Sequence, residues 1–123
     1  DLMLTKNKIP FIKENNSMIN AIKIINQKKL GFLVVTNSAG LNTGVFTDGD
    51  LKRLLRKKRN INNLKIKNCM TKKPMSIDEN MLASEALSIM NKKKITNLCV
   101  HNKNNIKRTI GVLHIHNLLR DLK

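Results

Sequence analysis

The sequence predicts a mixed α/β (α+β) fold made of two pseudo-symmetric halves. Three observations support this class: runs of β-branched residues that suit strands, apolar residues at helical spacing between them, and the return of the same order about 65 residues later. Each half is predicted to run strand, helix, strand, strand, helix. Because 41% of the 123 residues are hydrophobic and 26% are charged, the chain can bury a core and disorder is not expected.

The first half is predicted to occupy residues 1–60. Its apolar stretches and turn residues predict, in order, a strand at 9–12, a helix at 18–28, strands at 32–35 and 44–46 joined by a turn at 37–40, and a helix from residue 47. The polar residues Asn15, Asn16 and Ser17 are candidate caps of the first helix. Lys28 and Lys29 are expected to mark its end.

The second half is predicted to occupy residues 61–123. Its pattern predicts a strand at 75–77, a helix at 85–91, strands at 98–100 and 111–113 joined by a turn at 102–107, and a helix from residue 114. The closing helix is expected to carry Leu118, Leu119 and Leu122. Since neither half is large enough to close a core alone, the two are expected to pack as one unit.

The charge of the chain is strongly positive and unevenly distributed. Lysine and arginine total 24 against eight acidic residues, a formal net charge of +16, and residues 51–73 contain ten basic residues and no acid. This stretch fits a patch for a polyanion, or a solvated helix tail and linker. Trp and Tyr are absent, which disfavours proteins that stack single-stranded bases on aromatic side chains, so nucleic acid is not an expected partner.

Cysteine content and hydropathy indicate a cytoplasmic protein. Cys69 and Cys99 are too few for a disulfide scaffold and are expected to be small packing residues. No stretch is apolar and long enough for a membrane span, and a signal peptide is not expected, because residues 1–6 lack a basic head followed by an apolar run. Because residue 1 is Asp and the first repeat begins almost at once, we expect further sequence upstream.

Three segments resemble the signature of tandem CBS domains, the pair also called a Bateman module. They are residues 44–51 (GVFTDGDL), residues 111–118 (GVLHIHNL) and residues 68–74 (NCMTKKP). More narrowly, residues 45–53, 94–98 and 111–119 are similar to the C-terminal CBS pair of the bacterial arabinose 5-phosphate isomerase family. The resemblance covers nearly the whole chain.

This resemblance implies a regulatory module rather than an enzyme. In the family, a separate sugar-isomerase (SIS) domain interconverts ribulose 5-phosphate and arabinose 5-phosphate for the synthesis of Kdo, a lipopolysaccharide sugar. That domain is not within these residues, which contain no catalytic constellation. The implied roles are binding of an adenine nucleotide (AMP or ATP) or of CMP-Kdo between the repeats, covalent linkage to the SIS domain, and homodimer formation through the CBS helices.

Thr47 and Asp50 are the principal candidate ligand-binding residues. They lie three residues apart where a strand leads into a helix, a spacing that a capping box alone would explain. Alternatively, the Asp50 carboxylate accepts hydrogen bonds from ribose hydroxyls, while the Thr47 hydroxyl and the first helical amides contact phosphate.

The second repeat departs from this pattern, because His114 and Asn117 stand where Thr47 and Asp50 stand in the first. They are the second pair of candidate ligand-binding residues, with the two sites expected to differ. The resemblance also implies pocket-wall positions, namely Pro10, Phe32, Pro74 and Asn97. A metal is not expected at His114 and His116, because residues i and i+2 at a helix start do not share a face.

Two functions of other classes remain open on the sequence. One is a purely structural module that oligomerises an enzyme and binds no small molecule; the apolar stripe of Met18, Ile22 and Ile25 would suit such a face or a core. The other is a polyanion or nucleic-acid binder that uses the basic block at residues 52–73.

Overall fold

A computed structural model describes residues 3–5, 8–28, 31–57 and 60–121. The strands, in chain order, are β1 Met3–Thr5, β2 Phe11–Lys13, β3 Phe32–Thr36, β4 Asn42–Thr47, β5 Thr71–Lys72, β6 Ser76–Asp78, β7 Asn97–Asn102 and β8 Asn105–His114. The helices are α1 Met18–Lys28, α2 Asp48–Arg56, α3 Ala83–Lys93 and α4 Ile115–Asp121, with a short 3-10 helix at Ile66–Asn68. The predicted mixed α/β class with two repeats is confirmed.

The chain forms two compact units. The central unit is built from residues 10–74, and the terminal unit from residues 75–123 together with the segment before Pro10. None of the helices among the described residues is long and apolar enough to cross a membrane.

The central unit contains a four-stranded sheet in the order β2-β3-β4-β5. β2 and β3 are parallel, which requires the crossover that α1 provides, and the other two pairings are antiparallel. The Ser17 Oγ accepts a hydrogen bond from the Asn20 N–H at 3.1 Å, which satisfies one of the amides at the start of α1, as the sequence predicts. All of β3 is buried, in keeping with its unbroken apolar sequence.

The core of the central unit lies between its sheet and its helices. It consists of Ile12, Met18, Ala21, Ile25, Leu33, Val35, Phe46, Leu54 and Ile66. β4 alternates between buried and partly exposed residues, so Phe46 enters this core while Thr47 stays at the surface. The stripe of Met18, Ile22 and Ile25 therefore packs within this unit.

The terminal unit repeats the arrangement with the sheet order β1-β8-β7-β6. β6 and β7 are parallel, and β8 pairs antiparallel with both β7 and β1. Its core contains Ile77, Ala86, Met90, Leu98, Val100, Leu113 and Leu118. Leu119 is 44% exposed rather than buried, and Leu122 lies outside the described residues, as does Lys29.

The turn predicted at residues 102–107 is wrong in length. β7 continues to Asn102 and β8 begins at Asn105, which pair with each other, so two residues make the turn. The Asn102 side chain accepts a hydrogen bond from the Asn104 N–H at 2.8 Å. This local bond lets the polar sequence continue as a hairpin, where composition alone suggests a long loop.

Two short strands, β1 and β5, were not predicted. β1 precedes β2 in the chain and pairs with β8, while β5 precedes β6 and pairs with β4. Each brings a methionine over a glycine of its partner strand: Met70 over Gly44, and Met3 over Gly111. A Cβ at Gly44 would lie 2.7 Å from the Thr71 carbonyl oxygen, so this close approach requires glycine.

Candidate functional site

The turn from β4 into α2 holds the first pair of candidate residues. Thr47 is the N-cap of α2, with an extended backbone, and its Oγ1 accepts the Asp50 N–H at 3.1 Å. The Asp50 Oδ2 accepts the Thr47 N–H at 3.0 Å in return. This reciprocal pair is a capping box, and it places a hydroxyl and a carboxylate side by side at the positive end of the helix.

The Asp50 carboxylate has two further partners, Arg53 and Thr71, that the sequence analysis did not name. Its Oδ1 accepts a hydrogen bond from the Arg53 Nη2 in an ion pair within the same helix. The Thr71 hydroxyl, on β5, lies 3.4 Å from Oδ1 and 3.5 Å from Oδ2. With only 9% of its side chain exposed, Asp50 is held by groups from two elements of the central unit.

The equivalent turn, from β8 into α4, has a different chemistry. The His114 Nδ1 accepts the His116 N–H at 3.2 Å, so an imidazole takes the capping role of a hydroxyl. The Arg120 Nη2 donates to the Asn117 Oδ1 at 2.6 Å. An Arg three residues after the candidate acceptor is thus common to both turns, but the acceptor in the terminal unit is neutral.

The rings of His114 and His116 stack, with centroids 4.9 Å apart. The expectation that these two side chains point apart is wrong, because His114 ends a strand and its ring folds over the first turn of α4. Burial lowers the pKa of His114 below its usual value, and the charge of His116 lowers it further. Among the described residues, no three His, Cys, Asp or Glu side chains come together as a metal site would require.

Two of the four predicted pocket-wall residues lie beside candidate ligand-binding residues. Phe32 is paired with Thr47 in the β3–β4 register, and Asn97 with His114 in the β7–β8 register. Phe32 is buried, whereas Asn97 is half-buried and its Nδ2 donates to Thr96 Oγ1 at 3.2 Å.

The two prolines are placed differently. Pro10 is buried and its carbonyl accepts the Val34 N–H at 2.9 Å. Pro74 is half-buried. The structure places Thr47 and Asp50 together in the central unit, and His114 and Asn117 together in the terminal unit.

Sequence reasoning missed Arg53, Arg120 and Thr71. The sequence does contain a signal for the two arginines. Arg53 follows Asp50 by three residues and Arg120 follows Asn117 by three, a spacing that puts each arginine on the same helix face as its acceptor. No such signal exists for Thr71, because it reaches Asp50 through the pairing of β4 with a two-residue strand.

The basic block at residues 52–73 is a surface feature. Every basic residue in it that the structure describes is exposed: Lys52, Arg53, Arg56, Lys57, Lys65, Lys67, Lys72 and Lys73. Lys58 and Arg59 lie outside the described residues. This exposure fits a solvated face, and the block begins two residues after Asp50 in the sequence.

Comparison with known proteins gives the family. The family model of the CBS domain matches residues 1–57 and matches again at residues 66–123. This chain belongs to the CBS domain family. The tandem CBS pair inferred from residues 44–51 and 111–118 is therefore confirmed.

Curated relatives link this CBS pair to a named enzyme. The chain is 35% identical over 120 residues to arabinose 5-phosphate isomerase KdsD of Yersinia pestis, and 34% identical to that of Escherichia coli K12. Each match covers 98% of this chain but 36% of the relative, so the chain spans about a third of the enzymes it resembles. An uncharacterized protein of Rickettsia prowazekii, RP505, is 36% identical over 119 residues, 97% of this chain and 36% of its own length.

Solved structures show the same fold at low identity. CBSX2 of Arabidopsis thaliana aligns with a TM-score of 0.84 at 20% identity, covering 99% of this chain and 91% of that one. A structure described as CBSX2 in complex with AMP aligns with a TM-score of 0.83 at 22% identity, covering 99% and 92%.

Proposed function

We propose that this chain is the regulatory, nucleotide-binding CBS pair of a phosphosugar isomerase related to arabinose 5-phosphate isomerase. Supporting this are the twofold CBS match, the 34–35% identity to KdsD relatives and the AMP complex of the similarly folded CBSX2. Covalent linkage to an isomerase domain, a place in lipopolysaccharide synthesis, a cytoplasmic setting and dimerisation through the helices belong to the proposal, on family resemblance. CBS domains regulate rather than catalyse, so the chemistry would belong to the linked domain.

The observation that carries the proposal is the turn at Thr47 and Asp50. The carboxylate is held at the start of α2 with its oxygens directed by the Thr47 N–H and by Arg53. Beside it are the Thr47 hydroxyl and the Arg53 guanidinium, which are groups that bind phosphate in proteins. A ribose on Asp50 and a phosphate on these donors would together account for the arrangement.

The class of ligand is a nucleoside phosphate, and two members compete. An adenine nucleotide is favoured by the CBSX2 complex with AMP. CMP-Kdo is favoured by feedback logic, since it would be an end product of the pathway that the linked isomerase would feed. Both carry a ribose and phosphate, and the exposed basic residues of 52–73 suit either anion.

Thermal denaturation with AMP, ATP, CMP and CMP-Kdo tests this function. A ligand that binds only the folded state stabilises it by about 2.7 kcal/mol at a hundredfold excess over Kd, so the melting midpoint should rise with at least one of the four. Because anions also bind basic proteins weakly, inorganic phosphate at the same ionic strength is the control. A midpoint that no nucleotide raises above the phosphate control would reject the proposal.

A structural module that binds no ligand is the second candidate, and one observation favours it. The Asp50 carboxylate is satisfied by Thr47 and Arg53, which is all that a helix cap requires. Under this function the nucleotide panel leaves the midpoint unchanged, and the oligomeric state of the isolated chain becomes the informative measurement.

A further inference from the structure

Arg53 already holds the carboxylate that the proposed function assigns to a ribose. Its Nη2 donates to the Asp50 Oδ1, while the Thr47 N–H uses the other oxygen at 3.0 Å. The Asp50 side chain is 9% exposed, whereas that of Arg53 is 63% exposed. The carboxylate is therefore enclosed and fixed, and the guanidinium can rotate into solvent with little loss of buried area.

The guanidinium also folds back toward the first turn of α2. A Cβ built on Gly49 would lie 3.6 Å from the Arg53 Nη1 and 3.5 Å from the Thr47 Oγ1. The Arg53 guanidinium and the Thr47 hydroxyl therefore both lie close to the position that a side chain at residue 49 would occupy. A cation at a helix N-terminus is unfavourable against the helix dipole, and here the Asp50 carboxylate offsets it.

An arginine has five N–H donors, and Arg53 uses one of them in the hydrogen bond to Asp50. The contact is charge-assisted. A neutral hydroxyl that replaced the guanidinium would therefore form a weaker hydrogen bond with the carboxylate than the one that is broken. A phosphate changes this balance, since it offers the guanidinium a bidentate, charge-assisted contact of the same kind.

From these contacts, and resting on the proposed function, we infer that Arg53 is a specificity-determining residue that makes the site select phosphorylated nucleosides over nucleosides. A nucleoside must displace Arg53 from Asp50 and gives it no anion in return. A nucleotide displaces it onto its own 5′-phosphate, close to the Thr47 hydroxyl. The ion pair therefore closes the site to unphosphorylated ligands.

Calorimetric titration of the chain and of Arg53→Gln with two matched pairs, AMP with adenosine and CMP with cytidine, tests this inference. In the wild type the nucleotide binds more tightly than its nucleoside. In Arg53→Gln the ratio of the nucleoside Kd to the nucleotide Kd should fall about ten- to a hundredfold, which corresponds to the loss of a hydrogen bond to a charged group. The affinity for the nucleoside itself should not decrease. Arg53→Lys keeps the charge but not the planar fork, so its preference should be intermediate.

Arg56→Gln is the matched control, because it removes the same charge from an exposed position of the same helix. Its effect on the preference should stay within about twofold, since solvent and salt screen a charge that does not contact the ligand. The melting midpoint of each variant verifies folding; if Arg53→Gln does not fold, the ratio in Arg53→Lys decides.

The outcomes separate this inference from the proposed function. A wild type that binds AMP or CMP, with an unchanged preference in Arg53→Gln, overturns the role of Arg53 and leaves the proposed function standing. An equal fall in Arg56→Gln overturns it as well, because bulk charge then explains the preference. If the wild type binds neither AMP nor CMP, the inference is rejected. If, in addition, none of AMP, ATP, CMP and CMP-Kdo raises the melting midpoint above the phosphate control, the proposed function is rejected as well.

Discussion

The turns that begin α2 and α4 share a backbone arrangement and differ in their side chains. In each, the first helical N–H donates to the carbonyl of the residue just before the neighbouring strand: Asp48 to Gly31 at 3.0 Å, and Ile115 to Thr96 at 2.8 Å. In each, an Arg contacts the side chain three residues before it. The side chains in between differ, because Thr47 and Asp50 in one become His114 and Asn117 in the other.

This difference shows that the backbone arrangement of the turns and the chemistry of their side chains are separable. The capping hydroxyl has become a half-buried imidazole, and the acceptor has lost its charge while keeping its arginine. Helix initiation survives both changes, whereas of these two turns the first alone carries a charged acceptor, at Asp50. The comparison predicts that ligand binding concentrates at the first turn, while both turns contribute to stability.

The largest expected effect is that of Asp50→Asn on nucleotide binding, which gives the first turn the acceptor of the second. Loss of the charged acceptor should weaken binding by about 1.5–3 kcal/mol, about ten- to a hundredfold. The free energy of unfolding should fall by about 1 kcal/mol or less, because the side-chain oxygen of Asn can still accept the Thr47 N–H of the capping box. Calorimetry and urea denaturation measure the two quantities.

Asp48→Asn is the matched control for this substitution, since it removes an equal charge from an exposed position of the same turn. Equal nucleotide affinity in wild type and Asp50→Asn, together with a lower melting midpoint, would make Asp50 a helix cap only.

The next effect concerns the glycines beneath β5 and β1, and tests whether the two sheets tolerate the same change. A Cβ at Gly44 meets the Thr71 carbonyl oxygen at 2.7 Å, whereas at Gly111 the nearest carbonyl, of Leu4, is 3.2 Å away. Gly44→Ala should therefore cost about 1–3 kcal/mol of stability, by overpacking against backbone. Gly111→Ala should cost less, because a flexible methionine sulfur is the closest atom at both glycines but the backbone contact is longer at Gly111. Urea denaturation that ranks Gly111→Ala as the more damaging would contradict this reading.

A smaller effect is expected from the two caps. Thr47→Ala removes the acceptor of the Asp50 N–H and should destabilise the chain by about 1 kcal/mol. His114→Ala should cost less, because its longer contact, 3.2 Å, joins an exposed residue. Chemical denaturation of both variants at pH 8, where His114 is neutral, compares them directly. A larger loss for His114→Ala would show that the imidazole packs rather than caps.

The smallest effect is a pH dependence confined to the second turn. The pKa of His114 lies below 6.5 in the folded chain, first because of burial and second because of His116. As the pH falls through about 6.5 the unfolded chain takes up this proton first, so stability is full above that pH and declines below it. His114→Thr should flatten the decline, measured as melting midpoints from pH 8 to 5. A profile that His114→Thr does not alter would assign the decline to other groups.

Much of the fold could be predicted from the sequence because its signals are local. The unbroken apolar run of β3, the helical spacing of Met18 and Ile25, and the polar cap Ser17 each act within a few residues. The internal repeat then fixed the order of elements for both halves. β1 and β5 were not predicted because strands of two or three residues carry too little periodicity. Each packs closely against a glycine of the neighbouring strand.

For the candidate site, too, the sequence predicts the local contacts but not those that join distant segments. The spacing of Thr47 and Asp50 is a local pattern, and the structure forms the reciprocal cap that this spacing allows. Thr71 lies 21 residues further along the chain, and only the pairing of β5 with β4 brings its hydroxyl to Asp50. The stacking of His114 on His116 also depends on the strand-to-helix junction, which spacing rules for a continuous helix do not describe.

By itself, the sequence determined the class of fold, the duplication and the chemical types at each strand-to-helix turn, because propensity, capping and periodicity are encoded over short distances. The tertiary structure decided which of those groups meet. It brought the Thr71 hydroxyl to the enclosed Asp50 carboxylate, and it lowered the pKa of His114 through burial. These outcomes depend on burial and on contacts between distant segments, which no local pattern specifies.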